Sequence, residues 1–133
     1  MQNSDKIIID TYAWIEYFKG SEEGVKAKKF IEGDVILFTP AIVIVELSDK
    51  YRRDQITEWE TRRHFISLKS AILPLDEHTA DIAGVMKQEL KKQYKDAGLA
   101  DAIVSAHASV LNGDILTGDK HLKNLENSID ITK

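Results

Sequence analysis

The sequence predicts an α/β fold: a three-layer α/β/α sandwich around a mostly parallel sheet of about five strands. Three observations carry this. Short apolar or β-branched runs (KIIID, DVILFT, AILPL, DILTGD and SIDI) recur along the chain. Segments with apolar residues at helical spacing separate them, the alternation that builds parallel sheets. No repeat, low-complexity stretch or linker interrupts the pattern, so the 133 residues read as one domain, 1–133.

Each element follows from local pattern. KIIID (6–10) is a buried strand. TYAWIEYFKG (11–20) is a helix with Trp14, Ile15 and Phe18 on one side and Gly20 as its stop. SEEGVKAKKFIEG (21–33) is a short helix whose apolar side is Val25, Phe30 and Ile31. DVILFT (34–39) is the second strand. PAIVIVELSDKYRRD (40–54) is ambiguous, because Ile42 to Val45 alone read as strand. Pro40 suits a first helical position, and Ala41, Val45 and Ser48 continue one side at helical spacing, which favours helix. ITEWETRRHFISLKS (56–70) is a helix with Trp59, Phe65, Ile66 and Leu68 inward. In AILPL (71–75), Pro74 marks an edge strand or an early end. Residues 76–95 form a long helix with a stripe at Ile82, Met86, Leu90 and Tyr94; residues 99–112 form an apolar one. DILTGD (114–119), a helical turn at KHLKNL, and the strand SIDI complete the chain.

Composition removes several functions. There are no cysteines, which excludes disulfides, thiolate metal sites and a cysteine nucleophile. No apolar run approaches the ~18 residues that span a bilayer. The N-terminus lacks a signal-peptide pattern, so a cytoplasmic protein with no membrane partner is expected. The formal charge of −4 gives no general attraction to nucleic acid, although local patches outweigh totals. A Walker loop, GxGxxG, HExxH and the acidic pair of a receiver domain are all missing. His64, His78, His107 and His121 have no ligand-like spacing, and His107 reads as a core histidine.

Four acids stand out. In an open α/β sheet, ligands bind outside the carboxyl ends of the strands. Asp10 ends the first strand, Asp119 follows the strand ILT, and Asp101 opens the apolar helix before it. Glu46 lies in the helix after VILFT, flanked by Ile42 to Val45 and by Leu47. Each has a plain alternative. Asp10 can be an N-cap, Asp101 can favour the positive end of its helix, Asp119 can be a turn residue, and Glu46 can point to solvent. Together they suggest more. Converging carboxylates repel, and a divalent cation removes the conflict. Its chemistry at such a site is phosphodiester cleavage.

The stretches IIIDTYAWIEYF, PAIVIVEL, GLADAIVSAHA and ILTGDKHL, in this order and spacing, resemble a PIN domain, and within that group the VapC-type toxin ribonucleases. The likeness spans nearly the whole chain. It implies a PIN-like sandwich in which Asp10, Glu46, Asp101 and Asp119 form the acidic quartet that binds Mg2+ or Mn2+, one or two ions. Thr117 matches a hydroxyl-bearing position that orients the attacking water, and Thr11 a Ser/Thr position beside the first acid. The resemblance implies cleavage of RNA, with tRNA the family-level substrate, to a 5′-phosphate and a 3′-hydroxyl. It also implies a cognate VapB-type antitoxin and a homodimer.

RNA contacts would need cations. Lys120, next to Asp119, is the best placed; Arg52 and Arg53 are further candidates, as are Lys50, Arg62, Arg63, the lysines of 87–95, and Lys123. Tyr12 and Trp14 can stack on bases, though Trp14 also suits the core. Two other readings stand beside the toxin: a PIN nuclease of RNA maturation or decay without an antitoxin, and a non-catalytic RNA- or protein-binding scaffold.

Overall fold

A computed structural model describes residues 5–133. Along the chain run β1 (Lys6–Ile9), α1 (Thr11–Lys19), α2 (Glu22–Ile31), β2 (Ile36–Pro40), α3 (Ala41–Arg53) and α4 (Trp59–Lys69). They are followed by β3 (Ala71–Leu73), α5 (Glu77–Gln93), α6 (Leu99–Leu111), β4 (Asp114–Thr117) and β5 (Ser128–Asp130). The five strands form one sheet in the order β3-β2-β1-β4-β5, and all four pairings are parallel. The expected α/β architecture is present, with a sheet that is wholly rather than mostly parallel.

The order has a functional consequence. From β1 the chain moves outward through β2 and β3, then returns to place β4 on the other side of β1. The direction therefore reverses between β1 and β4, and such a switch point opens a crevice at the carboxyl ends of the strands.

The core explains the strands. Ile7, Ile8 and Ile9 of β1 and Ile115 and Leu116 of β4 are essentially buried, as a central parallel strand covered on both faces requires. Trp14, Ala27, Ile31, Val43, Leu47, Ile66 and Val104 close over them. A second, smaller cluster of Leu90, Ala97 and Ala102 joins α5 to α6. Trp14 is core, with Nε1 donating to Thr39 Oγ1 at 3.1 Å, and is not available to stack on a base. Strand β3 lies at the edge, where Pro74 suggested.

Several side chains depart from the sequence pattern. Pro40 ends β2 and caps α3 rather than occupying its first turn. The buried stripe of α3 is Val43, Leu47 and Tyr51, so Val45 is exposed. Val25 and Leu68 are exposed as well. On α2 the inward positions are Gly24, Ala27 and Ile31, because small residues let α2 lie close against α1. Residues 120–124 form turns, not a helix. His107 is buried as expected, yet its Nε2 has no partner among the described residues; burial pushes its pKa down and keeps the ring neutral.

Two glycines separate close packing from intrinsic helix propensity. A Cβ on Gly24 would stand 2.0 Å from the backbone oxygen of Glu16, while one on Gly84 meets nothing within 4 Å. Gly24→Ala should destabilise by about 3 kcal/mol or more by forcing α1 and α2 apart. Gly84→Ala, on the exposed side of α5, should stabilise by about 1 kcal/mol. Urea denaturation of the two variants checks both signs.

Candidate active site

Asp10 follows the last residue of β1 and leads into α1. Its N–H donates to Leu116 O of β4 at 3.1 Å, which ties it across the switch point. Its side chain makes no cap hydrogen bond to α1, so the capping alternative does not describe it. Instead Oδ2 accepts from Thr117 Oγ1 at 2.8 Å, at the end of β4. The same Thr117 oxygen accepts the N–H of Asp119 at 3.0 Å. One buried hydroxyl thus links the acid after β1 to the acid after β4.

The other two acids arrive on helices. Glu46 lies in the second turn of α3, where Thr11 Oγ1 donates to its Oε1 at 2.5 Å. Asp101 lies in the first turn of α6, and its Oδ2 accepts the Gly98 N–H at 3.2 Å. This is the back-reaching half of a capping box. Asp101 therefore both caps its helix and faces the other acids. The turn carrying Asp119 is fixed from the far side: a Cβ on Gly118 would stand 2.3 Å from the ring of Tyr12. Tyr12 is itself held by Glu23, whose Oε1 accepts its hydroxyl at 2.5 Å. That ring supports the turn; its hydrogen bond to Glu23 pushes the phenol up to about 12.

The four acids feel one another. Burial, reinforced by Asp119 and Glu46, raises the Asp10 carboxyl to about 7, despite the opposing hydrogen bond from Thr117. Glu46 is raised by burial, with repulsion from Asp101 and Asp119 added. Asp101 is raised by burial and then by Asp119. The site favours protons because its negative charges are partly desolvated and uncompensated.

His121 is the residue that the spacing of histidines concealed. Its ring Nδ1 stands 3.0 Å from Asp101 Oδ2 and 3.6 Å from Asp119 Oδ1, and its Nε2 stands 3.0 Å from Asp96 Oδ1. Burial lowers its pKa, but Asp96 and Asp101 outweigh this and hold the ring above its usual range. Asp101, Asp119 and His121 each offer a ligand atom, all within 4.8 Å of one another. The available signal was Asp-x-His in a strand-end turn, a mixed pattern that a search for paired histidines passes over.

The candidate cations are spread out. Lys120 is near the acids and pairs with Asp96 at 3.2 Å, with its side chain 72% exposed. Arg52 donates to Ser48 Oγ, and Arg53 pairs with Asp49, both on α3. They lie roughly 10 Å along that helix from Glu46. Arg62 is committed to packing over the rings of Phe18 and Tyr51.

The raised Asp10 carboxyl links proton binding to stability. Between about pH 4 and 7 the folded state holds a proton that the unfolded state has released, so this group's contribution to stability falls as pH rises through that window. A shift of this size corresponds to at most about 4 kcal/mol. Asp10→Asn, which can still accept from Thr117, should melt higher than the native chain at pH 8 without metal, and its melting temperature should fall less steeply between pH 4 and 7. Identical profiles would contradict the assignment.

The fold has relatives. The PIN domain family model matches residues 7–127. No curated protein sequence matches the chain. Among solved structures, the chain is similar to one from a toxin–antitoxin complex of Klebsiella pneumoniae, with a TM-score of 0.75, 19% identity, and 94% of this chain and 97% of that one covered. It is also similar to a chain of VapBC-1 from nontypeable Haemophilus influenzae, with a TM-score of 0.68, 21% identity, and 96% and 99% covered. A third is the sarcin-ricin loop cleaving toxin VapC20 of Mycobacterium tuberculosis, with a TM-score of 0.66, 14% identity, and 86% and 90% covered. At these identities the solved structures speak for the fold, while the family model covers nearly all of the sequence: the chain belongs to the PIN domain family.

Proposed function

We propose that the protein is a Mg2+- or Mn2+-dependent endoribonuclease and the toxin of a VapBC-type toxin–antitoxin pair. The observation that carries this reading is the gathering of Asp10, Glu46, Asp101 and Asp119 at the switch point, with three carboxyls raised by burial and mutual repulsion. Carboxylate oxygens in this number suit a hard divalent cation. The relatives in toxin–antitoxin complexes, and the one named for cleaving the sarcin-ricin loop, support the activity and the kind of partner.

The residues divide the work. Asp10, Glu46, Asp101 and Asp119 hold the cation, which when bound supplies Lewis acidity towards a phosphoryl oxygen and lowers the pKa of water. Thr117 keeps Asp10 and Asp119 in register through its two hydrogen bonds, and Thr11 keeps Glu46 turned inward. Near neutral pH the Asp10 carboxyl is partly protonated in the cation-free protein and would give up that proton when the site is loaded. Lys120 can meet the RNA phosphate backbone close to Asp119, with Arg52 and Arg53 reaching it further along the strand.

Exposed apolar side chains support a protein partner. Val45 is 60% exposed beside Glu46, and Leu99 is 64% exposed two residues before Asp101. An antitoxin segment laid across these positions would cover apolar surface and block the acids together. Leu68, Ile72 and Leu75, exposed around the edge strand β3, offer apolar surface for a homodimer. A cytoplasmic location accords with the absence of cysteines, and no helix among the described residues is long and apolar enough to cross a membrane.

The test is cleavage of RNA, tRNA included, by the purified antitoxin-free protein. With Mg2+ or Mn2+ we expect products bearing a 5′-phosphate and a 3′-hydroxyl. EDTA should abolish cleavage, and Asp101→Asn should slow it by at least about 100-fold. Cleavage that is indifferent to EDTA and to the substitution would refute this mechanism.

A further inference from the structure

The environment of His121 is built, not incidental. The side chain is only 10% exposed. Its ring meets Tyr94 edge-on at 5.3 Å between centroids. Its backbone N–H donates to Asp119 Oδ1 at 2.8 Å, which locks the turn that carries it. Nε2 faces Asp96, an exposed carboxylate that also pairs with Lys120. With these contacts the ring turns Nδ1 towards Asp101, to which it is hydrogen-bonded in the absence of a cation, and towards Asp119.

The separations suit a shared ion. Adjacent donors around an octahedral cation with bonds of about 2.1 Å stand about 3.0 Å apart. Nδ1 lies 3.0 Å from one Asp101 oxygen and 3.6 Å from one Asp119 oxygen. A histidine that ligates a metal through one ring nitrogen usually donates its other N–H to a carboxylate, which fixes the tautomer. Asp96 stands in that position.

We infer that His121 is a ligand of the catalytic cation through Nδ1, alongside Asp101 and Asp119, and that Asp96 is the positioning carboxylate that orients it. This rests on the reading of the acidic site as a divalent-metal site, and it refines the identity of the ion. Mg2+ is held by oxygen, whereas imidazole nitrogen is a better ligand for transition ions. A mixed nitrogen and oxygen set therefore selects Mn2+ over Mg2+.

The test uses Mn2+ alone, without RNA. Pulsed electron paramagnetic resonance of the loaded native protein reads nitrogen coupling to the ion, and calorimetry reads affinity. We expect imidazole nitrogen coupling in the native protein. His121→Gln should lose the coupling, bind Mn2+ at least about 10-fold more weakly, and show a smaller preference for Mn2+ over Mg2+. Asp96→Asn should keep the coupling while binding about 10- to 100-fold more weakly. Native protein that binds Mn2+ without nitrogen coupling would overturn the inference and leave the acidic metal site standing. Native protein that binds no Mn2+ would overturn the metal-site reading itself, and this inference with it.

Discussion

Repulsion among four carboxylates at one sheet edge is the constraint on which the rest of this structure turns. Asp10, Glu46 and Asp101 are drawn far enough from water for their acidity to weaken, and Asp119 adds negative charge beside Asp10, Glu46 and Asp101. Left alone, such a group tends to separate or to take up protons. The fold prevents separation by attaching the acids to rigid elements. Two follow the central strands β1 and β4, and two sit on helices, in the second turn of α3 and the first turn of α6. The core packing of Val43 and Leu47 anchors the helix that carries Glu46, and that of Val104 the helix that carries Asp101.

Hydroxyls and a histidine do the fine positioning. Thr117 joins Asp10 to Asp119, Thr11 holds Glu46, and His121 spans Asp101 and Asp96. None of these groups neutralises the site fully. The arrangement keeps acceptors aligned and under-compensated, which costs stability in the cation-free protein and leaves a strong local field for a cation. Tyr12 and Gly118 show the same economy in steric form. The ring supports the Asp119 turn from behind, and only a residue without a side chain fits between them.

Much of this was legible in the sequence, for reasons that can be named. The strands were short, β-branched and spaced by helical segments, so the alternation alone gave the sheet. Asp10, Asp101 and Asp119 were legible because each follows a strand or opens a helix, where a parallel sheet gathers them, and Glu46 because it stands alone among apolar neighbours in its helix. What the sequence could not carry were relations between elements. Val25, Val45 and Leu68 are apolar at helical spacing, yet they face solvent: on α2 the small residues Gly24 and Ala27 take the inward face, on α3 Val43, Leu47 and Tyr51, and on α4 Trp59 and Ile66. His121 was hidden for a related reason. Its partners Asp101 and Asp96 lie 20 and 25 residues away, and they meet it because β4 runs back along α6, so that the turn after β4 stands beside the start of that helix.

The central claim, that this mutually repelling set of carboxylates exists to hold a cation, is tested most directly by proton counting. Mn2+ would be titrated into the protein at pH 7 in buffers of different ionisation enthalpy. With Asp10 half-protonated near that pH, binding should release protons, and the observed heat should vary linearly with the buffer's ionisation enthalpy. Release should diminish well above pH 7. Saturable binding with a heat independent of buffer at pH 7, or no binding at all, would contradict the account.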